Sequence, residues 1–114
     1  MKSIFPALAA ILATATAALA HSKAEDTTPS GGATVETVEF IELRFDDPMR
    51  VTVVTLTGPD GNLEITRETG LDLVTEFRAL PPEILPAGAY TVDWRGLSAD
   101  GHPMQGTFGF TVAD

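Results

Sequence analysis

The 114-residue sequence has no cysteine, only two histidines, and just seven Lys or Arg residues against sixteen Asp or Glu. Without cysteine the protein cannot form disulfides, thiolate metal sites, cysteine nucleophiles or cysteine-linked lipid anchors. The shortage of cations gives a formal net charge of −9, and so acidic a surface repels nucleic acids and anionic lipid. The length allows a single domain. We therefore expect one small acidic domain that meets cations and binds no nucleic acid.

The longest apolar run lies at the N-terminus. An alanine-rich stretch follows Lys2 and ends on Ala18-Leu19-Ala20, which is the small-x-small pattern that signal peptidase cuts after. A membrane-spanning helix would instead need about 20 strongly apolar residues. We predict that residues 1–20 are a cleaved signal peptide and that residues 21–114 form the exported domain, with His21 as its first residue.

Alternation of apolar and polar residues dominates the rest of the sequence, which is typical of half-buried strands. In the segment 38–45 the alternation places Glu42 and Arg44 on the solvated side. In the segment 90–95 it points Tyr90, Val92 and Trp94 together toward a core. Similar strand patterns occur at residues 51–57, 63–66 and 106–112.

Turn signals separate these strands. Asp46-Asp47-Pro48 is predicted to end the first strand, and Pro59-Asp60-Gly61-Asn62 to form a hairpin turn. Residues 21–34 are polar and are predicted to form an irregular arm. Residues 70–80 fit a helix or a strand, and we favour a strand because the neighbouring segments are strands. Together these patterns predict an all-β fold, a small antiparallel Greek-key β-sandwich or barrel.

The two histidines are His21 and His102. Once cleavage frees it, His21 offers its α-amine and imidazole Nδ1, which together close a chelate ring on a metal. Asp100 and His102 are two residues apart in an Asp-Gly-His segment, so a turn there can bring their side chains together. Three nitrogens and one carboxylate oxygen in a tetragonal set suit Cu(II), with Ni(II) next. Each half of this predicted site also has an explanation that involves no metal. The cleavage before His21 is inferred, and Asp-Gly is a common turn dipeptide.

No catalytic set is evident. Ser98 lies near His102, but nothing in the sequence supplies the oxyanion donors that a serine nucleophile needs. We expect a binding protein and not an enzyme, because four in-plane ligands favour holding Cu(II) over redox cycling. Two alternatives stay open: an exported copper-dependent oxidase that uses the N-terminal histidine chelate, and a metal-free β-sandwich module for protein contacts.

The segment Gly88–Val112 carries the most specific pattern: a Tyr-x-Val-x-Trp strand, a Ser-x-Asp-Gly-His-Pro loop and a Gly-x-Phe-x-Phe-x-Val strand. Thr28-Pro29 and Ile41–Phe45 add matching pieces upstream. Over residues 21–112 the sequence resembles the periplasmic copper-resistance protein C (CopC) family. This resemblance implies an Ig-like, cupredoxin-sized β-sandwich that carries copper in the periplasm. It also implies a partner, the family's inner-membrane copper protein (CopD).

The resemblance implies a Cu(II) site made of the His21 amine and imidazole, the Asp100 carboxylate and the His102 imidazole, the same set that the residue chemistry indicates. Some family members hold Cu(I) in a methionine-rich loop. Here the only methionines after residue 20 are Met49 and Met104, on separate segments. We therefore predict one Cu(II) per chain and no Cu(I) methionine site. The predicted function is to sequester or deliver copper, as a monomer, in copper homeostasis and resistance.

Overall fold

The computed structural model describes residues 26–114, and every regular element in this part of the chain is a β-strand. The predicted signal peptide and His21 lie outside the described residues. The eight strands are β1 (Asp26–Thr28), β2 (Thr34–Val35), β3 (Ile41–Gly58), β4 (Gly61–Leu63), β5 (Thr66–Arg67), β6 (Leu73–Leu80), β7 (Gly88–Ser98) and β8 (Pro103–Val112). The all-β prediction is confirmed, and so is the choice of a strand within residues 70–80. Residues 26–114 contain no helix able to cross a membrane.

Strand β3 is much longer than its sequence pattern suggested. The prediction that Asp46-Asp47-Pro48 ends a strand is wrong, because β3 runs through these residues for 18 positions. Its pairing with β6 shifts register between Arg44 and Met49. Proline has no N–H to give to a ladder and is tolerated in a sheet at bulges and edges. Pro48 therefore lies where β3 changes register, and the chain bends there without turning back.

The long strand belongs to both layers of the sandwich. The order along the sheet is β2-β8-β7-β3-β6-β5, with β1 and β4 also paired to β3. Ile41, in the first half of β3, packs in one cluster with Leu56, in the second half of β3, and with Val92 of the neighbouring strand β7. The sheet therefore folds over on itself around β3. The pairings are antiparallel, as predicted, except for the two-residue parallel contact between β2 and β8.

Two adjoining hydrophobic clusters fill the space between the layers. Tyr90, Val92 and Trp94 are all buried, which confirms the predicted inward face of β7. The ring of Trp94 meets Phe45 edge to face with 5.2 Å between centroids. The cluster around Trp94 also contains Met49, which is paired with Ser98 at the end of β7. The tryptophan cluster therefore supports the end of the sheet at which β7 leads into β8.

Candidate metal centre

The loop between β7 and β8 is a tight hairpin connection that begins at Ser98 and ends at His102. The Ser98 N–H donates to the His102 carbonyl at 2.9 Å, and the Gly101 N–H donates to the Ser98 carbonyl at 2.8 Å. Gly101 has a φ of +88°, in the left-handed region that glycine adopts without strain. A three-residue hairpin loop commonly closes with a residue in this conformation. Gly101 is thus required by the turn, which places Asp100 and His102 on the same loop.

The hydroxyl of Ser98 organises the two predicted ligands. Its Oγ accepts a hydrogen bond from the His102 N–H at 3.1 Å and donates one to Asp100 Oδ1. The same Oδ1 lies 3.0 Å from His102 Nδ1. The structure therefore brings Asp100 and His102 together, as a turn was predicted to do. Sequence reasoning gave Ser98 no part in the site, although its position two residues before the aspartate is typical of a side chain that orders a turn.

The loop is strongly polarised although it is open to solvent. The hydrogen bond from Ser98, reinforced by His102, lowers the pKa of Asp100 to about 2. The hydrogen bond and negative charge of Asp100 in turn raise the pKa of His102 above its ordinary value of 6.5. The two side chains are 72 % and 73 % exposed. Asp100 is therefore a carboxylate at neutral pH, and its partner presents an imidazole edge to the solvent.

The arrangement leaves donor atoms available for a metal. When His102 is neutral and holds its proton on Nδ1 toward Asp100, its Nε2 keeps a lone pair for a metal. Both side-chain hydrogen bonds to Asp100 fall on Oδ1. Within residues 26–114 no group of three or more His, Asp or Glu side chains converges on one point. The loop thus holds two of the four predicted ligands, and the other two, both on His21, lie outside the described residues.

The edge of β3 links the loop to the start of the described chain. At Arg44, β3 has β1 on one edge and β6 on the other. At Met49, β6 remains on its edge, while Ser98 of β7 is the partner on the opposite one. Strands β1 and β7 therefore follow one another along the same edge of β3, with residues 45–48 between them. Since β1 is antiparallel to β3, its first residue, Asp26, lies at the end of β1 nearer to Ser98.

An ion-pair network holds β1 at this edge. Arg44 contacts Asp26 of β1 through Nη2 at 2.7 Å and Glu42 through Nη1. The second oxygen of Glu42 lies 3.1 Å from Arg78 on β6. The expectation of a solvated Glu42 is wrong, since only 5 % of this residue is exposed. The alternating signs of Glu42 and Arg44 are visible in the sequence, but their partners on β1 and β6 depend on strand register.

The two methionines are closer in the fold than in the sequence. Met49 is opposite Ser98 and is 5 % exposed, and Met104 is opposite Gly96 on the neighbouring strand. Met104 packs, partly buried, against the same cluster that contains Met49. Both side chains contribute to the core beneath the loop. The predicted lack of a Cu(I) methionine site stays a prediction.

Comparison with known proteins places this sandwich and loop in a family. Residues 24–113 match the CopC domain. The chain belongs to the CopC family. It is 30 % identical over 115 residues to the Escherichia coli copper resistance protein C, a match that covers 90 % of this chain and 89 % of that protein.

Two crystal structures, one of PcoC and one of CopC, have the same fold as this CopC-family domain. PcoC, a methionine-rich copper resistance protein from Escherichia coli, superposes with a TM-score of 0.67 at 32 % identity, over 82 % of this chain and 99 % of PcoC. CopC from Methylosinus trichosporium OB3b gives a TM-score of 0.67 at 29 % identity, over 82 % of this chain and 94 % of that one. The β-sandwich prediction is therefore confirmed.

Proposed function

We propose that this chain is a periplasmic Cu(II)-binding protein that sequesters or delivers one copper ion per domain in copper homeostasis and resistance. The observation that carries the proposal is the Asp100–His102 pair, ordered by Ser98 at an exposed loop, in a chain of the CopC family. An ionised carboxylate beside an imidazole is a half-formed site for a divalent cation. The acidic net charge favours the approach of such a cation.

The other half of the proposed site is His21, after cleavage behind Ala20. Five residues, 21–25, precede Asp26, and an extended segment of that length spans up to about 17 Å. Asp26 is opposite Arg44, and Met49, which is opposite Ser98, lies five residues farther along β3. A chain that continues from β1 along this edge therefore has the reach to carry its first residue to Asp100 and His102.

Cleavage is an essential step in this proposal. In the precursor the nitrogen of His21 belongs to a peptide bond, and an amide nitrogen carries no lone pair comparable to that of an amine. The freed α-amine has an ordinary pKa near 7.7–8.0, so a metal displaces its proton readily at neutral pH. The amine and the imidazole Nδ1 of one residue then chelate the ion together. Export and processing would thus complete a site that the precursor does not possess.

The set favours binding over turnover. The His21 amine and imidazole, with Asp100 and His102, fill the four equatorial positions of tetragonal Cu(II). A copper oxidase needs a position for dioxygen, and this set leaves none in the plane. We further propose that the domain acts as a monomer and exchanges copper with an inner-membrane copper protein of the CopD kind.

The decisive experiment compares two N-termini. Cu(II) is titrated into protein that begins at His21 and into the same protein with one extra residue before it, and the complexes are examined by EPR. We expect one tight, nitrogen-rich tetragonal complex in the first case and much weaker binding in the second. Asp100→Ala and His102→Ala should each weaken the first complex, while Asp60→Asn, at the far hairpin, should not.

Other results would sink the proposal. Equal or negligible binding by the two forms would remove the N-terminal chelate and leave a module for protein contacts as the better explanation. Sustained oxygen consumption by the copper-loaded protein in the presence of a reductant would support the copper-dependent oxidase instead. A second, methionine-dependent Cu(I) complex would contradict the predicted lack of such a site.

A further inference from the structure

We propose that Arg44 is a positioning residue for the copper site: by joining Asp26 to the buried Glu42, it fixes β1 on β3 and so directs the N-terminal arm toward the Asp100–His102 loop. This inference rests on the proposed function, since it concerns how the His21 ligands are delivered. It adds a role for three side chains that donate nothing to the metal themselves.

The guanidinium of Arg44 is held from one side by a carboxylate that has little freedom. Glu42 is buried, with its Oε1 on Arg44 and its Oε2 on Arg78 at 3.1 Å. Arg78 is itself stacked over the ring of Phe40, with 4.0 Å from its guanidinium carbon to the ring centroid. Glu42 is thus fixed between two arginines on β3 and β6. The position of Glu42 therefore orients the guanidinium of Arg44 independently of its contact with β1.

The other terminal nitrogen of the Arg44 guanidinium contacts β1. Arg44 Nη2 donates to Asp26 Oδ2 at 2.7 Å. This contact is the main reason that the pKa of Asp26 falls below its ordinary value, so Asp26 is ionised throughout the neutral range. The backbone pairing of β1 is short, only the three residues Asp26, Thr27 and Thr28 against β3. A three-residue edge strand frays readily on its own, and the ion pair adds a side-chain anchor at its upstream end.

The position of the anchor determines what it controls. Asp26 is the first residue of β1, and the five residues before it end at His21. If the start of β1 detaches from Arg44, Asp26 is no longer held beside the edge of β3 that leads to Ser98. Binding copper then requires a larger loss of chain entropy. The ion pair should therefore strengthen Cu(II) binding only through ligands carried by the arm.

The test is a thermodynamic cycle that separates positioning from simple charge. Cu(II) affinity is measured for Asp26→Asn and for the unmodified protein, each with His21 as first residue and each with one extra N-terminal residue. In the His21 forms we expect Asp26→Asn to weaken binding about two- to five-fold, the range of an exposed ion pair. In the extended forms we expect no change, because the arm no longer contributes its chelate.

Two controls sharpen the cycle. Asp60→Asn removes the same charge from an exposed residue just beyond Gly58, the last residue of β3. Gly58 is nine residues from Met49, up to about 30 Å along an extended strand, so this substitution should leave the affinity unchanged. Thermal unfolding of the copper-free proteins should show that Asp26→Asn leaves the sandwich intact, because Glu42 keeps both of its arginines. Raising the salt concentration should shrink the effect of Asp26→Asn, since salt screens exposed pairs.

Each remaining outcome overturns the inference. If Asp26→Asn weakens both N-terminal forms equally, it acts through the electric field of the protein and not through the arm. If Asp26→Asn leaves the Cu(II) affinity unchanged, as Asp60→Asn does, while the extra residue still abolishes tight binding, the proposed copper site is retained and the positioning role is rejected. If the extra residue has no effect on the unmodified protein, the proposed function fails first, and the positioning role fails with it.

Discussion

Replacement of Gly96 by alanine should test how tightly β3 and β7 pack below the loop. A Cβ at this position would lie 2.7 Å from the backbone oxygen of Arg50, 3.3 Å from Cγ of Met49 and 3.3 Å from Cα of Val51. Two of these three atoms belong to the backbone of the neighbouring strand, so no rotation of a side chain relieves the crowding. The strand itself must move, and it is fixed by pairing on both edges.

The size of the effect follows from two opposing terms. Forcing an extra methyl into a packed interior costs about 1–3 kcal/mol. Alanine in a strand recovers about 0.5–1 kcal/mol of the backbone entropy that glycine loses on folding. We therefore expect Gly96→Ala to lower the free energy of unfolding by about 1–2 kcal/mol. For a domain of this size that corresponds to a fall in Tm of about 4–16 °C.

Chemical denaturation, followed by the fluorescence of the single tryptophan, measures the change directly. Gly70→Ala is the matched control, because a Cβ there meets nothing within 4 Å. It should leave stability unchanged or raise it by about 0.4–1 kcal/mol through the unfolded state. The reasoning would be refuted if both variants unfolded at the same denaturant concentration. A change in the slope without a change in midpoint would point to an altered denatured state instead.

Three further predictions concern the loop and the core. Ser98→Ala should weaken Cu(II) binding several-fold, because it removes the hydroxyl that orders both loop ligands, whereas Thr107→Val, which deletes a hydroxyl–carboxylate contact elsewhere on the same two strands, should not. In copper-free protein, NMR titration should give His102 a pKa above 6.5, and Asp100→Asn should lower that pKa. The ion pair forms only between the pKa of Asp100, about 2, and that of His102, so its contribution to stability is lost as the pH rises through the His102 pKa and also as the pH falls toward about 2. Tyr90→Phe should cost about 1 kcal/mol in urea unfolding, since it deletes the 2.5 Å hydrogen bond from the buried phenol to a carbonyl in the preceding loop. An unchanged His102 titration in Asp100→Asn, or unchanged unfolding of Tyr90→Phe, would contradict the corresponding contact.

Local pattern was enough to predict most of the strands and the approach of Asp100 to His102. The alternation in residues 90–95 depends on one strand facing one core, and Tyr90, Val92 and Trp94 are indeed buried. The Asp-Gly-His segment contains its own turn signal, so the approach of Asp100 to His102 needs few contacts from elsewhere. Such features are encoded within a few residues, and a single sequence reveals them.

Features that depend on register were not predictable in this way. Asp46-Asp47-Pro48 has the composition of a turn, and only the continuation of β6 alongside β3 shows that the chain bends instead. Glu42 lies on the polar side of its strand, and alternation alone assigns it to solvent. Its carboxylate is nevertheless buried, and it pairs with Arg44 and with Arg78, a residue 36 positions away that β6 brings alongside. Both errors arise because the deciding partner is distant in sequence.

The continuity of β3 also determines whether the proposed metal site can form. The loop ligands and His21 are about eighty residues apart in sequence, so no local motif can bring them together. They become neighbours in the proposal only because β1 and β7 occupy consecutive stretches of one edge of the same strand. A true turn at Asp46-Asp47-Pro48 would have placed Arg44 and Met49 on separate strands and separated the arm from the loop. The continuity of β3 through Pro48 is therefore the feature on which the proposed site, with ligands from both ends of the domain, depends.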